Sequence, residues 1–267
     1  MEETPRLADA AEARTVDLRT TEVAKAFAGV QALRGVSCEV GRGEIVGLIG
    51  PNGAGKTTLF NCITGFLRID SGAIWLGEER IDDWTTHRIG QVGAVRTFQN
   101  IRMFPDLTAF ESIVVAQHAR GKGGLASAVL TPWRHRKSLS RMFDKADEIL
   151  ETLGLSDVRR KLCSELTLLQ QRKLELGRAI AAEPTVLLLD EPSAGATASE
   201  AEELMEVVSE INGRGMSVLL IEHNMPFVIG LASRITVMNF GEIVATGTAE
   251  EIRSDALVQR IYLGTRA

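Results

Sequence analysis

A glycine-rich segment separates an apolar run from the start of an amphipathic stretch. The run Ile45–Ile49 predicts a strand, and the residues from Leu59 onward predict a helix. The segment between them fits the pattern G-x-x-x-x-G-K-T, and its residues are Gly50, Pro51, Asn52, Gly53, Ala54, Gly55, Lys56, Thr57 and Thr58. Glycines let successive backbone N–H groups point into one concavity that suits an anion, and a helix N-terminus adds partial positive charge. The pattern therefore predicts a loop that binds nucleotide phosphates, with Lys56 at the terminal phosphates and the Thr57 hydroxyl on Mg²⁺.

Two acidic residues, Asp190 and Glu191, directly follow the apolar run Val186–Leu189. Side chains alternate along a strand, but the chain can turn at a strand end and present both carboxylates. Beside a phosphate loop, Asp190 is expected to hold Mg²⁺ and Glu191 to act as the general base for an attacking water. The competing interpretation is a solvated pair that ends the strand.

Two further polar residues end predicted strands. His223 comes after the buried run Ser217–Ile221, and Gln99 ends the strand candidate that starts at Val92. Alone, His223 is more often a capping or core residue, and Gln99 an ordinary loop residue. Together with the phosphate loop and the acidic pair, His223 and Gln99 favour a catalytic centre, because such a centre needs charge stabilisation and water positioning at the same place.

Composition limits the classes of protein. The chain has 267 residues, 45% of them hydrophobic, a formal net charge of −5 and three cysteines without metal-ligand spacing. The charge gives no general attraction to nucleic acid. No apolar run approaches the ~20 residues of a membrane span. We expect a soluble cytoplasmic protein whose residues 1–14 are a disordered lead-in, so that any membrane role needs a partner.

Buried strands alternate with helices in the second half of the chain. This alternation predicts a parallel α/β sheet that binds ligands at the carboxyl ends of its strands. Strands are also expected in Thr15–Val40 and Ser71–Gly77, and the pattern becomes helical from Thr108 onward. A basic cluster at Arg134–Lys137 is either a solvated face or a docking contact.

The order of these motifs resembles the ATP-binding subunit of an ABC transporter. The resemblance covers nearly all of 15–264, and four strings are similar to the branch that imports branched-chain amino acids: Val95–Phe104, Val115–His118, Gln170–Leu176 and Ile261–Gly264. It implies a P-loop NTPase with a RecA-like parallel sheet core, an antiparallel β subdomain and an inserted helical subdomain. The expected boundaries are 15–265 for the single domain and about 108–182 for the helical subdomain.

The resemblance also implies roles and partners. Phe27 would stack on adenine, although the residue pattern leaves ordinary packing open. Gln99 would link Mg²⁺ and water to a membrane subunit, Asp190 would bind the metal, Glu191 would be the base, and His223 would contact the γ-phosphate. ATP and Mg²⁺ are the implied cofactors. The implied partners are a second ATPase subunit, expected to be a different chain, transmembrane permease subunits and, indirectly, a periplasmic substrate-binding protein, with this chain on the cytoplasmic face of the inner membrane.

Two segments depart from the family pattern. The signature Leu-Ser-Gly-Gly-Gln, which clamps ATP held by the other subunit, reads Leu166, Thr167, Leu168, Leu169 and Gln170 here. The loop after Glu191 departs at Ala196–Ala198. Leu169 stands where glycine allows close approach to phosphate. One hypothesis is an asymmetric dimer in which the site built from this signature is weak or silent; the other is that Leu169 is tolerated through backbone contacts.

The leading interpretation is an ATPase that powers import of branched-chain or related amino acids across a bacterial inner membrane. One alternative is a nucleotide-responsive module with little turnover. Another is a soluble ABC ATPase without a transport role, which the single cassette and the lack of a heptad run disfavour. The cargo stays open among amino acids, urea, amides and aromatic acids, because a fold does not specify its substrate.

Overall fold

The structure, a computed structural model, describes residues 15–97, 103–117 and 132–263, with the backbone alone for 132–138 and 263. The predicted lead-in at 1–14 lies outside the described residues. The strands are β1 (Val16–Phe27), β2 (Val30–Gly41), β3 (Ile45–Ile49), β4 (Ser71–Leu76), β5 (Glu79–Arg80), β6 (Ala94–Arg96), β7 (Val186–Asp190), β8 (Ser217–Ile221), β9 (Arg234–Asn239) and β10 (Glu242–Gly247). The helices are α1 (Lys56–Ile63), α2 (Thr86–Val92), α3 (Ala109–Gln117), α4 (Pro132–Thr152), α5 (Leu168–Ala181), α6 (Ala198–Gly213), α7 (Met225–Leu231), α8 (Ala249–Ser254) and α9 (Ala256–Leu263).

The first sheet is antiparallel and has the strand order β2-β1-β4-β5. Its long hairpin turns at Ala28 and Gly29, both with positive φ, and the last ladder pair joins Phe27 to Val30. Glycine adopts this left-handed conformation without steric cost, which favours a tight turn here. The hairpin therefore places Phe27 at its tip.

The second sheet has the order β10-β9-β3-β8-β7-β6, with β10 as an antiparallel edge strand and the others parallel. Every residue of β3, β7 and β8 is buried. Leu187 and Leu189 of β7 pack on one face, while Leu188 packs on the other. Both faces are thus covered, as the continuous apolar runs predicted. The predicted fold, a parallel core with an added antiparallel sheet and helices, is confirmed.

The helices α3, α4 and α5 pack together against one face of the parallel sheet. Pro132 is the first residue of α4, a position to which proline is well suited. The strand expected from Val92 is only Ala94–Arg96, and Val92 instead ends α2. Among the described residues we find no helix with the length and apolarity needed to cross a bilayer.

Gly177 lies at a tight contact between these helices. A Cβ atom there would lie 2.4 Å from Leu153 Cδ1 and 2.9 Å from Ile113 Cδ1. We expect Gly177→Ala to lower the free energy of unfolding by about 1–3 kcal/mol, because the packed side chains must shift. The matched control is Gly90→Ala in α2, where a Cβ meets nothing within 4 Å, and we expect a gain of about 0.5–1 kcal/mol from helix propensity. Equal stability of the two variants in urea unfolding would contradict this account of the packing.

Candidate nucleotide site

The glycine loop follows β3 and leads into α1, as predicted. Gly50 has φ 151°, and a Cβ there would lie 2.2 Å from the carbonyl oxygen of Met238. Gly55 has φ 103°, and its Cβ would lie 2.6 Å from the carbonyl oxygen of Ala32. Both positions therefore require glycine, since an L side chain meets backbone as well as backbone strain. Backbone carbonyl groups of the neighbouring strands β2 and β9 thus leave no room for a side chain at these two positions of the loop.

The first turn of α1 has the geometry that suits an anion. Gly55 is its N-cap, and no side chain in the described part of the chain caps it, so its first N–H groups are available to a ligand. The Lys56 ammonium donates hydrogen bonds to the carbonyl oxygens of Gly50 at 2.7 Å and Pro51 at 3.1 Å. Burial lowers the pKa of Lys56, while the nearby charges of Glu191 and Asp190 oppose that shift. Lys56 therefore lies over the loop, within the field of the acidic pair.

The acidic pair ends β7 through a change of backbone conformation. Asp190 is the last strand residue and is only 7% exposed. Glu191 has φ 50°, a left-handed conformation that is strained for a glutamate, and its N–H donates to the carbonyl oxygen of Ile221 at 2.9 Å. This turn presents both carboxylates at the carboxyl end of the sheet. The ladder pairs Asp190 with Ile221, and Ile221 with Leu48, so β7, β8 and β3 bring the site residues together.

His223 follows β8 and lies near the acidic pair. Its Nδ1 is 3.7 Å from Glu191 Oε1, and its side chain is 66% exposed. The exposure rules out the interpretation of His223 as a core residue. The histidine therefore faces an open space that a ligand on the loop could share.

Glu222 is a buried residue of the site that the sequence reasoning missed. Its side chain is fully buried, and its carboxylate accepts hydrogen bonds from the Ser193 N–H at 2.8 Å and the Ser193 hydroxyl at 2.6 Å. The N–H groups of His223 and Asn224 donate to its other oxygen at 3.0 and 3.1 Å. Glu222 thus joins the loop after Glu191 to the loop that carries His223. The signal available in the sequence was an acidic residue at the end of a buried apolar strand, since a charge there requires several partners.

Arg96 is the second residue that the sequence reasoning missed. It ends β6 and donates to Asp190 Oδ2 at 2.5 Å and to Asn61 Oδ1 of α1 at 2.6 Å. Both members of the ion pair are nearly buried. In the sequence, Arg96 appears only within the string Val95–Phe104 that resembles the importer branch. Its role as an ion-pair partner could not be predicted, because Asn61 and Asp190 lie far away in the sequence. Gln99, the expected link to metal and water, lies outside the described residues.

The donors for a divalent ion are few. Within the described ranges, no group of three or more His, Cys, Asp and Glu side chains clusters as a metal site. Mg²⁺ at a nucleotide needs fewer protein ligands, because phosphate oxygens and waters complete its octahedron. Two side chains provide suitable oxygen donors. One is the hydroxyl of exposed Thr57 in the first turn of α1, and the other is the Asp190 carboxylate, which forms an ion pair with Arg96. The residues present therefore fit Mg²⁺ bound together with a nucleotide.

Phe27 is accessible rather than part of the core. It is 44% exposed at the tip of the hairpin, with the Lys25 ammonium 5.7 Å from its ring centroid. The start of β2 touches the glycine loop, since the Ala32 carbonyl lies against Gly55. The Phe27 ring is thus exposed at the tip of a hairpin whose second strand touches the glycine loop.

The signature segment opens α5. Thr167 is the N-cap and forms a capping box with Gln170, while Leu166 is buried. Leu168 is 51% exposed, but Leu169 is half-buried and packs against the core. The side chain expected to obstruct phosphate therefore points into the protein. Thr197, in the second departing loop, caps α6 in the same manner, and Arg172 of α5 donates to the Ala194 carbonyl, which ties the two departing segments together.

Two other features border the site. The Gly50 N–H donates to the Tyr262 hydroxyl, so the C-terminal helix α9 touches the glycine loop. Burial raises the pKa of the Tyr262 phenol, and the hydrogen bond opposes that shift.

A cleft of about 610 Å³ lies between α2, the end of β6 and α5. Its lining includes Arg96, Thr97, Met103 and Phe104, on both sides of the segment 98–102 that carries Gln99. The side chains of the basic cluster at Arg134–Lys137 lie outside the described residues.

We expect Glu222→Gln to lower the free energy of unfolding by about 1–3 kcal/mol, because an amide cannot accept from donors on both sides and leaves buried groups unpaired. The matched control is Glu203→Gln on α6, whose half-exposed carboxylate pairs with Lys173 at 2.7 Å, and its cost should stay within about 1 kcal/mol. Urea unfolding of both variants checks the difference. Equal losses would show that the Glu222 network contributes no more than a surface ion pair.

Two family models match the chain. The ABC transporter model covers residues 33–194, and the model of the branched-chain amino acid ATP-binding cassette transporter covers residues 242–267. The second region contains α8, α9 and Tyr262. The resemblance inferred from the motif order is therefore confirmed.

Curated relatives and solved structures agree with these models. The high-affinity branched-chain amino acid transport ATP-binding protein LivG of Salmonella typhimurium is 44% identical over 239 residues, which are 89% of this chain and 94% of that protein. The corresponding protein BraF of Pseudomonas aeruginosa is 38% identical over 239 residues, with the same coverage. The ADP conformation of MJ1267, an ATP-binding cassette of an ABC transporter, matches with a TM-score of 0.81 at 33% identity and covers 93% of this chain and 99% of that chain. The phosphate loop, acidic pair and histidine thus lie on a known nucleotide-binding scaffold, and the chain belongs to the ABC transporter family as an ATP-binding subunit that hydrolyses ATP to drive transport.

Proposed function

We propose that this chain is the ATPase subunit of an importer for branched-chain or related amino acids, bound to the cytoplasmic face of a bacterial inner membrane. The observation that carries the proposal is the meeting of Lys56, Asp190, Glu191 and His223 at the carboxyl ends of three adjacent strands. The printed names of LivG and BraF, and the family model over residues 242–267, support the cargo class.

Each residue has a distinct task in the proposed reaction. The backbone N–H groups at the start of α1, together with the Lys56 ammonium over the loop Gly50–Thr58, bind the phosphates, and Phe27 stacks on adenine. Thr57 and Asp190 hold Mg²⁺, which supplies charge neutralisation at the transferred phosphoryl group.

The water that attacks the γ-phosphate is aligned by Glu191, whose carboxylate accepts a hydrogen bond and then the proton from it. His223, 3.7 Å from that carboxylate, donates to the γ-phosphate. Gln99 is proposed to complete the water site.

The permease is proposed to dock in the cleft between α2, the end of β6 and α5. The cleft is bordered by the parallel sheet on one side and by the helical layer on the other, and half-exposed Phe104 offers an apolar contact. A helix of the permease placed there would touch both ends of the segment 98–102. The helical layer consists of α3, α4 and α5. A displacement of this layer relative to the sheet would then move the permease helix directly.

A second ATPase subunit is proposed to complete each ATP site with the start of its α5. In this chain the half-buried Leu169 leaves the backbone N–H groups at the start of α5 in ordinary helical geometry. This favours the hypothesis that the signature acts through its backbone over the hypothesis of a silent site in an asymmetric dimer.

We expect Glu191→Gln to lower ATP turnover at least about 10²-fold, because the water loses its base, while binding of a fluorescent ATP analogue is retained. The measurement is phosphate release by the chain assembled with its partner ATPase and permease subunits in lipid vesicles. Glu203→Gln on α6 is the matched control and should behave as wild type. Full turnover by the Glu191 variant would refute the assigned base.

The cargo is tested in the same vesicles with a periplasmic binding protein and labelled leucine. ATP-dependent leucine uptake, lost with Glu191→Gln, is the expected result. ATP turnover without uptake of leucine, isoleucine or valine would refute the proposed cargo and leave the ATPase assignment intact.

We expect Leu169→Gly to lower the free energy of unfolding by about 2 kcal/mol, through lost packing and helix propensity, and to leave turnover of the assembled complex unchanged. Leu169→Ala removes the same branched side chain without adding glycine and is the matched control. A severalfold rise in turnover with either variant would instead support the asymmetric dimer with a silent site.

A further inference from the structure

Arg96 is a cation held from three sides in the interior. Its side chain is 9% exposed, and its two terminal nitrogens donate to Asp190 and Asn61. Its guanidinium carbon also lies 5.6 Å from the ring centroid of Phe60. Asn61 and Phe60 belong to α1, so the guanidinium joins the helix of the phosphate loop to the strand of the acidic pair. Contacts in several directions hold a planar guanidinium in one orientation.

Asp190 needs such a partner. Its side chain is 8% exposed, and a buried carboxylate is costly unless it is paired and hydrogen-bonded. Lys56, a second cation near Asp190, bonds the carbonyl oxygens of the glycine loop instead. The Arg96 contact uses the same carboxylate that the proposed function assigns to Mg²⁺. A guanidinium and a divalent ion would therefore compete for the lone pairs of Asp190.

We propose that Arg96 is a positioning residue that neutralises and orients Asp190, and that Mg²⁺, which binds with nucleotide, competes with this ion pair for the Asp190 carboxylate. The inference rests on the proposed function, because it takes Asp190 as the carboxylate on the metal side. Arg96 also lines the cleft and lies at the end of β6, ahead of the segment that carries Gln99. A partner in the cleft that displaces β6 would change the Mg²⁺ requirement of the site.

The test is a titration of Mg²⁺ on the full chain at a fixed concentration of a fluorescent ADP analogue, which needs no turnover. In Arg96→Gln the Mg²⁺ concentration at half-maximal binding should fall at least about 5-fold, the low end of ordinary coupling between sites. Binding of the analogue in EDTA should not change. An unchanged or raised midpoint overturns the proposal.

Arg96→Lys is the conservative variant and keeps the interpretation testable if Arg96→Gln does not fold. A lysine retains the charge but not the two-pronged contact, so a smaller shift in the same direction is expected and no shift overturns the proposal. The matched control is Arg234→Gln, which breaks the partly buried pair of Arg234 with Glu44, 2.8 Å apart. This control should lower stability and leave the Mg²⁺ midpoint unchanged; an equal shift would show general destabilisation and overturn the proposal.

Asp190→Asn separates this inference from the proposed function. If that variant binds the analogue with the Mg²⁺ dependence of wild type, the proposed metal site itself fails. If it loses the Mg²⁺ dependence while Arg96→Gln leaves the midpoint unmoved, only the role of Arg96 fails. Loss of the dependence in Asp190→Asn together with a lowered midpoint in Arg96→Gln supports both.

Discussion

The parallel ladder β3-β8-β7 is the constraint on which the site depends. These strands come from three separate parts of the chain, and each is buried on both faces. Their registers align Leu48, Ile221 and Asp190 side by side. Because parallel strands end at the same edge of a sheet, the phosphate loop, His223 and the acidic pair emerge next to one another. A slip in one register would move the residues at the ends of these strands apart.

Charges placed at this edge must be satisfied inside the protein. Glu222 accepts four hydrogen bonds from two loops, and Asp190 is paired with Arg96, which is itself bonded to α1. An unpaired buried charge costs several kcal/mol, so the partners define where each loop lies. The same contacts that offset burial therefore position the groups proposed for catalysis.

The helical layer presents other surfaces to other subunits. Its helix α5 starts at the signature, lines the cleft and is joined by Arg172 to the loop after Glu191. A displacement of α5 would thus change both the shape of the cleft and the position of the loop beside the acidic pair. At Gly177 the helices α3, α4 and α5 pack so tightly that an added Cβ would meet Leu153 and Ile113 side chains at less than 3 Å, so the three helices form one packed layer.

The sequence by itself determined the phosphate loop, the acidic pair, His223 and the alternation of buried strands and helices. These features are local, since glycine conformations, apolar runs and strand ends depend on neighbouring residues. The tertiary structure decided the roles of Arg96 and Glu222, the left-handed turn at Glu191 and the inward direction of Leu169. Each of these depends on groups brought close by strand register and helix packing. Arg96 and Asp190 are 94 positions apart in the chain and 2.5 Å apart in space, and no local pattern encodes such a distance.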